Sequence, residues 1–486
     1  MALTIKVKKM LHRKSMEMCT PVPVTNAAGH FFCGDKGGLM PQRDCHYLVA
    51  GVSAVYNYNA DEDAWMLLPA SGATGTFAAG ACGEFRALGA MGGVQDQTAT
   101  AGTTTTLTTN KTIVRNLVGS KIRVISGTGV GYEGTVASNT IGANSVITVT
   151  PASSVAFDAT TVFRVWSGSL WFFNAGTTAV GFSVYDRATN AWTAKSVTGL
   201  PTAWGTSGQL ISTDSVEGPF DTGTSTGSNT TTTLNCTGKA WATNAFTNAQ
   251  VRITAGTGAG QIRTVASNTA TALTVSAAWT VTPDATSVFS VEGNDDYMYL
   301  LGNNAVTLYR FTVSTNTWAT LTPGTARTAA PGAGFTADWI HGVTDADWQG
   351  AQGKLHTPAG MVKQSGRFIY SFRGAGTTAL DIYDIAANTW WNGLGYGNST
   401  ETFTTGSCSV DADGYIYISK EATGRLFKFD VAKNTLDGLT TNLHPQSTAT
   451  DGDKLLVIPY VDGSTKLPYL YVLQHTRVEM LRMMLV

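Results

Sequence analysis

Two acidic residues close to two tryptophans form the most suggestive group of side chains in the sequence. Asp345 and Asp347 lie near Trp339 and Trp348 in residues 337–348. Two carboxylates held across a cleft can hydrolyse glycosidic bonds, and tryptophan rings offer flat faces for sugars. A solvated loop beside buried tryptophans has the same composition. The four residues are therefore a candidate contact for a glycan or a partner, and we predict no catalytic residue there.

Two glycine-rich segments resemble a phosphate-binding loop only superficially. Residues 127–131 have the sequence GTGVG and residues 256–260 the sequence GTGAG. A phosphate-binding loop would continue into Gly-Lys-Ser/Thr and would join a strand to a helix. Neither feature is present, because both flanks have the pattern of strands. The sequence therefore predicts tight β-turns and no nucleotide cofactor.

The histidines and cysteines do not match a metal signature. Six cysteines are scattered without close pairs, which does not suit a disulfide framework in a chain of 486 residues. Cys19, Cys33 and Cys45 lie near His30 and His46, but their spacings fit no compact zinc motif. We expect buried free thiols, no metal and no cofactor.

Charge is scarce and nearly balanced. Charged residues are 13% of the chain, against roughly 25% in typical soluble domains, and the formal net charge is -1. Proteins that grip nucleic acid or anionic membranes need a concentrated basic field, so the main body is not expected to do either. Neither an apolar run long enough for a membrane span nor a secretory signal is found.

The exception is a basic N-terminal arm. It is either a solvated arm or edge strand, or a docking arm for an acidic partner or a DNA channel. Its basic residues are Lys6, Lys8, Lys9, Arg13 and Lys14. We expect that deleting residues 1–18 leaves the body folded and weakens assembly only.

A repeated pattern indicates the elements that carry these residues. Each copy alternates apolar and polar residues, turns at Asn or Asp, and ends at Trp; the last copy ends at Leu436 instead. This pattern predicts two antiparallel strands joined by a turn. The copies are residues 55–65, 182–192, 308–318, 380–390 and 426–436. We expect their tryptophans to be equivalent and largely buried, namely Trp65, Trp192, Trp318 and Trp390.

Another strand pattern precedes most copies, which gives three or four strands per repeat. The arrangement resembles the kelch-type β-propeller, most clearly at residues 185–192 and 383–390. The resemblance implies an all-β, kelch-like β-propeller. The tryptophan intervals 65–192 and 192–318 are, however, far longer than a blade of roughly 40–50 residues, so material has been inserted.

The two inserts repeat each other. Residues 121–131 correspond to 250–260, and 135–140 to 264–269, at a constant offset of 129; after a three-residue length difference, 158–163 corresponds to 284–289. The arm and first blade or blades are predicted at 1–98, inserted β-module 1 at 99–166, propeller at 167–222, inserted β-module 2 at 223–292, and the remaining blades at 293–486. Removing the modules leaves about six blades, closed by the N-terminal or the C-terminal strand.

The inserts carry a second resemblance. Residues 251–269 and 283–289 look like modules of tailed-bacteriophage virion proteins, and propellers with inserted β-modules occur in phage tail nozzles. The resemblance implies a non-enzymatic virion protein, assembled in the host cytoplasm, that acts as a tail nozzle or tail-tube component. It would form a homo-oligomeric, hexameric ring through which DNA exits, in contact with other tail or neck proteins.

Two alternatives remain open for the function. A receptor- or glycan-binding tail protein would use aromatic side chains on loops or inserts to contact sugars. A head or neck decoration protein would use the same propeller as a rigid spacer. Both would share the all-β architecture, since a fold alone does not determine function.

Overall fold

A computed structural model describes most of the chain. Within the described ranges every regular element is a β-strand. The ranges are 17–21, 30–33, 44–49, 54–59, 63–69, 77–78, 81–87, 97–110, 113, 117–118, 120–166, 168–176, 179–186, 191–204, 208–212, 220–302, 305–329, 339–340, 368–373, 376–403, 408–412, 415–420, 425–430, 435–439, 454–462, 465–473 and 480–484.

Three four-stranded antiparallel sheets form the first half of the body. Sheet 1 contains β2 (His30–Cys33), β3 (Asp44–Val49), β4 (Ala54–Asn59) and β5 (Ala64–Leu67). Sheet 2 contains β6 (Cys82–Ala87), β14 (Gly168–Asn174), β15 (Gly181–Asp186) and β16 (Ala191–Ala194). Sheet 3 contains β17 (Gly208–Ser212), β24 (Tyr297–Gly302), β25 (Leu308–Thr312) and β26 (Thr317–Thr320).

Three further sheets of the same kind form the second half. Sheet 4 contains β27 (Trp339–Ile340), β28 (Phe368–Phe372), β29 (Ala379–Asp384) and β30 (Thr389–Gly395). Sheet 5 contains β31 (Cys408–Ala412), β32 (Tyr415–Lys420), β33 (Arg425–Asp430) and β34 (Thr435–Gly438). Sheet 6 contains β35 (Lys454–Asp462), β36 (Thr465–Leu473), β37 (Met480–Met484) and β1 (Glu17–Cys19).

The six sheets pack in a closed order, which makes the body a β-propeller. A separate hydrophobic cluster fills each seam from sheet 1 to sheet 6. At the last seam Tyr471 of sheet 6 packs edge-on against Tyr58 of sheet 1, with ring centroids 6.0 Å apart. The all-β propeller predicted from the repeats is therefore confirmed, whereas the number of blades in the whole chain stays a prediction.

The repeated tryptophans hold equivalent places. Each lies directly opposite an aromatic residue of the neighbouring strand, with ring centroids 5.0 to 5.2 Å apart. The cross-strand pairs are Trp65 with Tyr58, Trp192 with Tyr185, Trp318 with Phe311, and Trp390 with Tyr383. Leu436 lies opposite Phe429 in sheet 5. Cross-strand aromatic pairs of this kind stabilise antiparallel sheets.

The expectation that the four tryptophans are largely buried is confirmed, although to different degrees. Trp318 and Trp390 are 6% and 1% exposed, whereas Trp65 and Trp192 are only half-buried. An outermost strand has one neighbour, so its side chains depend on cover from the preceding sheet. The segment around Val197 and Leu200 packs into the cluster that contains Trp318.

Left-handed residues form the turns before these tryptophans. Asp63, Asn316 and Asn388 have φ angles of 49°, 53° and 48°. Asn and Asp tolerate this conformation because their short polar side chains bond to nearby groups. Asp63 Oδ1 accepts from Tyr58 Oη at 2.7 Å, and Asn388 Oδ1 from Tyr383 Oη at 2.6 Å. The sequence prediction for these turns is confirmed.

Both ends of the chain complete sheet 6, where the sequence left a choice between them. Glu17 to Cys19 of β1 pair with Arg482 to Met480 of β37, and β37 pairs with β36. Glu17 and Met18 thus belong to a strand of the ring. The assumption that residues 1–18 all lie outside the folded body is therefore wrong for these two residues, and the effect of deleting residues 1–18 stays a prediction.

The two inserts form twin β-modules. Module 1 is a sheet with the order β7 (Gln97–Thr98), β13 (Val162–Trp166), β10 (Lys121–Ser126), β11 (Glu133–Asn139), β12 (Val146–Thr150), β9 (Thr106–Thr108) and β8 (Ala101–Gly102). Module 2 has the order β18 (Asp221–Thr224), β23 (Val288–Glu292), β20 (Gln250–Ala255), β21 (Ile262–Asn268), β22 (Ala272–Val275) and β19 (Thr233–Asn235). The shared strand order establishes that the inserts are structural duplicates.

Both modules occupy the same connection. Module 1 joins the first and second strands of sheet 2, and module 2 joins the first and second strands of sheet 3. Equivalent strands of a propeller run in the same direction, so both modules leave the ring on the same face.

The modules differ in how their cores relate to the body. Ile122 and Phe163 of module 1 belong to the same apolar cluster as Val55 and Leu170, which lie at the seam between sheets 1 and 2. Module 2 instead has a core of its own, which extends from Phe220 to Val291 and includes Trp241 and Trp279. Its attachment to the ring consequently depends more on polar contacts.

Candidate interaction site

The glycine-rich segments are tight turns between two strands, as the sequence predicts. In residues 127–131 and 256–260 every glycine has a positive φ, between 76° and 90°. A Cβ at Gly127 would collide with Thr160 O, and one at Gly256 with Thr286 O. Only glycine fits such a position, because it has no Cβ and adopts positive φ without cost. The flanking elements are β10 and β11 in module 1, and β20 and β21 in module 2.

A single aspartate closes each turn. In module 1, Asp158 Oδ2 accepts from Thr128 Oγ1 at 2.7 Å and Oδ1 accepts from Thr160 Oγ1 at 2.6 Å. Asp284 makes the same two bonds in module 2, from Thr257 at 2.8 Å and Thr286 at 2.6 Å.

These bonds have an electrostatic consequence. The hydrogen bonds from threonine hydroxyls hold the pKa of Asp158 and of Asp284 below the ordinary aspartate value, because they stabilise the carboxylate. Both side chains are therefore ionised at neutral pH and occupied in shaping the turn, which makes them structural groups.

Exposed aliphatic side chains surround both turns. We call Val130 and Val155 the module 1 tip, and Ile262 and Val281 the module 2 tip. Their exposed fractions are 65%, 45%, 39% and 50%. Val155 and Val281 are equivalent residues, because each lies three positions before the closing aspartate. Sequence reasoning missed these tips; the available signal was an apolar residue, Val130, between two glycines of an otherwise polar turn.

A buried ion pair lies within module 2, between its neighbouring strands β20 and β23. Arg252 Nε lies 2.7 Å from Glu292 Oε1, and the side chains are 1% and 4% exposed. Gln250 Nε2 donates to Asp295 Oδ2 at 2.9 Å, at the point where the chain returns to the ring. Buried charges require such partners, because an unpaired charge in the interior is costly.

The equivalent arginine of module 1 has a different environment. Arg123 Nε lies 3.4 Å from Glu133 Oε1, with the side chains 32% and 63% exposed. Arg123 and Arg252 therefore occupy equivalent positions but do not make a common contact.

A crevice marks the junction of module 2 with the ring. It lies between module 2 and sheets 3 and 4. Asn248, with a φ of 66°, donates from Nδ2 to Ile385 O at 3.2 Å and accepts from Arg310 Nη1 at 3.2 Å. The side chain of Asn248 thus forms hydrogen bonds to both sheets, which fixes module 2 against the ring at the crevice.

The residues that the sequence singled out lie mostly beyond the described ranges. Trp339 belongs to the short strand β27, which pairs with β28. Outside the described residues lie Asp345, Asp347, Trp348, Lys6, Lys8, Lys9, Arg13 and Lys14. The structure therefore does not bring the candidate glycan contact or the candidate arm into view, and both stay predictions.

The described residues contain neither a cluster of metal ligands nor a helix that could span a membrane. No three His, Cys, Asp or Glu side chains in these ranges are placed to share a metal ion. In the same ranges, no helix has the length and apolar character needed to cross a membrane. Cys19, Cys82 and Cys236 are buried, as expected of small apolar side chains.

Comparison with known proteins gives distant structural matches. No protein-family model and no curated protein matches the chain. The solved structure of YCF48 bound to D1 peptide has a TM-score of 0.32 at 8% identity, covering 97% of this chain and 96% of that one. Phage phi92 endosialidase has a TM-score of 0.22 at 12% identity, covering 84% and 64%. An auxiliary nutrient binding protein from Bacteroides thetaiotaomicron has a TM-score of 0.23 at 10% identity, covering 78% and 94%.

With TM-scores well below 0.5, these likenesses carry no argument about the chain. From its own sheets, the chain is an all-β propeller protein that carries a duplicated β-module, and its function is inferred below from its own residues.

Proposed function

We propose that the protein is a structural component of a tailed-bacteriophage virion, which forms a homo-oligomeric ring at the tail through which DNA leaves. The observation that carries the proposal is the pair of twin modules on the same connection of sheets 2 and 3. Their sequence resembles virion modules at residues 251–269. Two duplicated modules on one face of a rigid body suit a subunit that makes the same contact with each neighbouring subunit of a symmetric ring.

The polar groups of the modules favour such a role. Threonine hydroxyls and backbone groups cover much of the turns, and the aspartates are bonded within the module. Neutral hydrogen-bonding groups can form wide subunit contacts without the desolvation cost of burying ions. The contacts of Arg252 and Gln250 with Asp295, at the point where the chain returns to the ring, support a fixed orientation of module 2.

The test is the state of the protein alone and in particles. Purified full-length protein is sized by light scattering and imaged by negative-stain electron microscopy, and particles of the source phage are labelled with an antibody against it. We expect ring-shaped assemblies, six-fold by the proposal, and label on the tail axis. A chain that stays monomeric and is missing from particles would overturn the proposal.

The rival enzymatic function requires its own experiment. We propose that the chain has no hydrolase activity, so host polysaccharide incubated with the protein should keep its chain length. Cleavage by the wild type that disappears in an Asp345→Asn/Asp347→Asn variant would replace the structural function by a glycosidase function.

A further inference from the structure

Module 2 is held to the propeller differently from module 1. Among the described residues, the apolar core of module 2 contains no residue of the six propeller sheets. The core of module 1 instead continues into the propeller through Val55 and Leu170. Burial of shared apolar surface is the main force that holds parts of a fold together. Module 1 is therefore part of the rigid body, whereas module 2 depends on other contacts.

The contacts of the returning chain change side between two consecutive residues. The carboxylate of Asp295 accepts from Gln250 Nε2 at 2.9 Å and lies 3.5 Å from Arg252 Nη2, both in module 2. The carboxylate of Asp296 accepts from the N–H and the hydroxyl of Ser314, at 2.7 and 2.6 Å, in the turn between β25 and β26 of sheet 3. The boundary between module 2 and the propeller is therefore the peptide bond that joins Asp295 to Asp296.

Two hydrogen bonds of the chain cross this boundary. The Asp296 N–H donates to Asn294 Oδ1 at 3.0 Å, and the Tyr297 N–H donates to Asn294 O at 3.3 Å. Asn294 Nδ2 in turn donates to Asn248 O in module 2, at 3.0 Å. Protein hinges consist of a few residues at the ends of elements that absorb changes in φ and ψ. Residues 294–297 have this position, between the end of β23 and the start of β24.

Asn248 fastens module 2 across the crevice. Its Nδ2 donates to Ile385 O, which follows β29 of sheet 4, and its Oδ1 accepts from Arg310 Nη1 of sheet 3, both at 3.2 Å. These distances are at the long end of the range for N–H···O hydrogen bonds. In the described part of the chain, no apolar cluster joins module 2 to either sheet. Two bonds of one side chain thus act as a latch.

Module 1 limits the motion of module 2 on one side. A Cβ at Gly260, in the turn of module 2, would be 2.6 Å from Ile141 Cδ1 of module 1. Since module 1 shares its core with the propeller, it forms a fixed wall against this turn. Module 2 is therefore free to move away from module 1, but not towards it.

We propose that module 2 is a hinged flap on the face of the propeller. It turns about residues 294–297, rests on module 1 when closed, and is held closed by the Asn248 latch. The structure shows the closed state, in which the orientation of module 2 is fixed, and opening uncovers the crevice beside sheets 3 and 4. The inference concerns a single chain and does not depend on the proposed virion function.

The test compares two asparagines with a left-handed backbone, using hydrogen exchange of the full-length protein read by mass spectrometry. Asn248→Gly removes the latch side chain, and glycine adopts the φ of 66° without strain. Asn144→Gly is the matched control, with a φ of 51° at an exposed position between β11 and β12. We expect the Asp296 and Tyr297 amides to exchange at least about tenfold faster in Asn248→Gly alone, because loss of two hydrogen bonds favours the open state.

A substitution in sheet 3 tests the latch from its other end. Arg310→Met removes the donor to Asn248 and keeps an unbranched side chain beside the ring of Tyr297. It should accelerate the same two amides, although it lies outside module 2. The double variant should exchange no faster than Asn248→Gly, because both substitutions remove the same contact. In all variants the amides of β20 and β23, inside module 2, should keep their wild-type exchange rates.

Each outcome decides the inference. Unchanged exchange at Asp296 and Tyr297 in both latch variants would overturn the flap. Acceleration that extends to β20 and β23 would equally overturn it, since module 2 would then unfold instead of turning as a unit. An equal acceleration in Asn144→Gly would show an effect of glycine and not of the latch. None of these results depends on whether the protein forms rings, so the flap and the proposed function can fail separately.

Discussion

At the scale of single residues, indole groups join neighbouring sheets of the propeller. Trp65 Nε1 donates to Thr20 O at 3.1 Å, Trp192 Nε1 to Pro69 O at 3.1 Å, and Trp318 Nε1 to Ser196 O at 3.0 Å. Every acceptor follows the outermost strand of the preceding sheet. The repeated tryptophan therefore serves twice, in packing against its own sheet and in bonding to the previous one.

Sheet 4 departs from this scheme. Trp390 Nε1 is buried without a hydrogen-bond partner, and the guanidinium of Arg327 lies over the ring, 4.9 Å from its centroid. Arg327 pairs with Asp381 at 2.9 Å between fully buried side chains. Burial lowers the pKa of Arg327, because desolvation disfavours its charged form.

The contrast between sheets 3 and 4 gives a matched pair of substitutions. Trp318→Phe removes a bond to the preceding sheet, and Trp390→Phe removes an N–H without a partner. We expect Trp318→Phe to lower the free energy of unfolding by about 1 kcal/mol more than Trp390→Phe. Urea denaturation of both variants measures the difference. Equal losses would show that the indole bond contributes nothing at the seam.

A partly buried ion pair predicts a dependence on pH. Glu401 contacts Lys420 Nζ and Arg425 Nη1, both at 2.7 Å, and hydrogen bonds from these groups lower its pKa below the ordinary value. A carboxylate with a lowered folded-state pKa stabilises the protein above its unfolded pKa, and this stabilisation is lost as the pH falls through the folded value.

Glu401→Gln tests this sign. The variant should be less stable than wild type at pH 7 by up to about 1 kcal/mol, and the difference should shrink below about pH 4 as the wild-type carboxyl is protonated. Thermal unfolding between pH 3 and pH 7 provides the measurement. A difference that is independent of pH would contradict the ion-pair explanation.

At the scale of elements, two glycines of one module turn allow the cost of a left-handed backbone and the cost of a steric collision to be measured separately. Gly127 and Gly131 belong to the same turn and have φ angles of 76° and 86°. A Cβ would meet Thr160 O at Gly127 and open space at Gly131. Both replacements thus carry the penalty of a left-handed alanine, and only one adds a collision.

We expect Gly131→Ala to lower the free energy of unfolding by roughly 1–2 kcal/mol. Gly127→Ala should lower it further, by about 1–3 kcal/mol, because the turn must move away from Thr160. Chemical denaturation of each variant measures the two costs. If Gly127→Ala is no worse than Gly131→Ala, the turn is more adaptable than its geometry indicates.

The sequence predicted these elements where a period or a duplication constrained them. The offset of 129 residues identified equivalent turns, and alternation identified the strands around Trp318 and Trp390. The tips were not predicted, because the exposure of Val130 depends on what surrounds it in space. The different burial of Arg252 and Arg123 was not predicted either, because the two arginines are equivalent in sequence and only their surroundings in space differ.

At the scale of the whole molecule, the ring depends on a strand from each end of the chain. Thr20, which follows β1, donates from its N–H to Asp63 Oδ1 at 2.9 Å and accepts from Trp65 Nε1. The sequence could not choose between the chain ends, since three-residue strands such as β1 carry little periodic signal.

Two truncations separate the arm from the ring. Deleting residues 1–16 removes the basic arm and should leave the midpoint of thermal unfolding within about 1 °C of wild type. Deleting residues 1–21 also removes β1 and the Thr20 bonds, which should lower the midpoint by more than the first truncation does, by roughly 1 °C for each kcal/mol in a chain of this size. Equal midpoints for both truncations would show that β1 does not contribute to closure.

The pairing of β1 with β37 also sets an order of events during synthesis. Residues 17–19 are made long before their partners, residues 480–482. Sheets 1 to 5 can form from consecutive segments while the nascent chain grows, but sheet 6 must wait until residues 480–484 have left the ribosome. Prematurely terminated chains would therefore remain open rings with an unpaired strand at each side of the gap, which makes them targets for aggregation and for quality-control proteases.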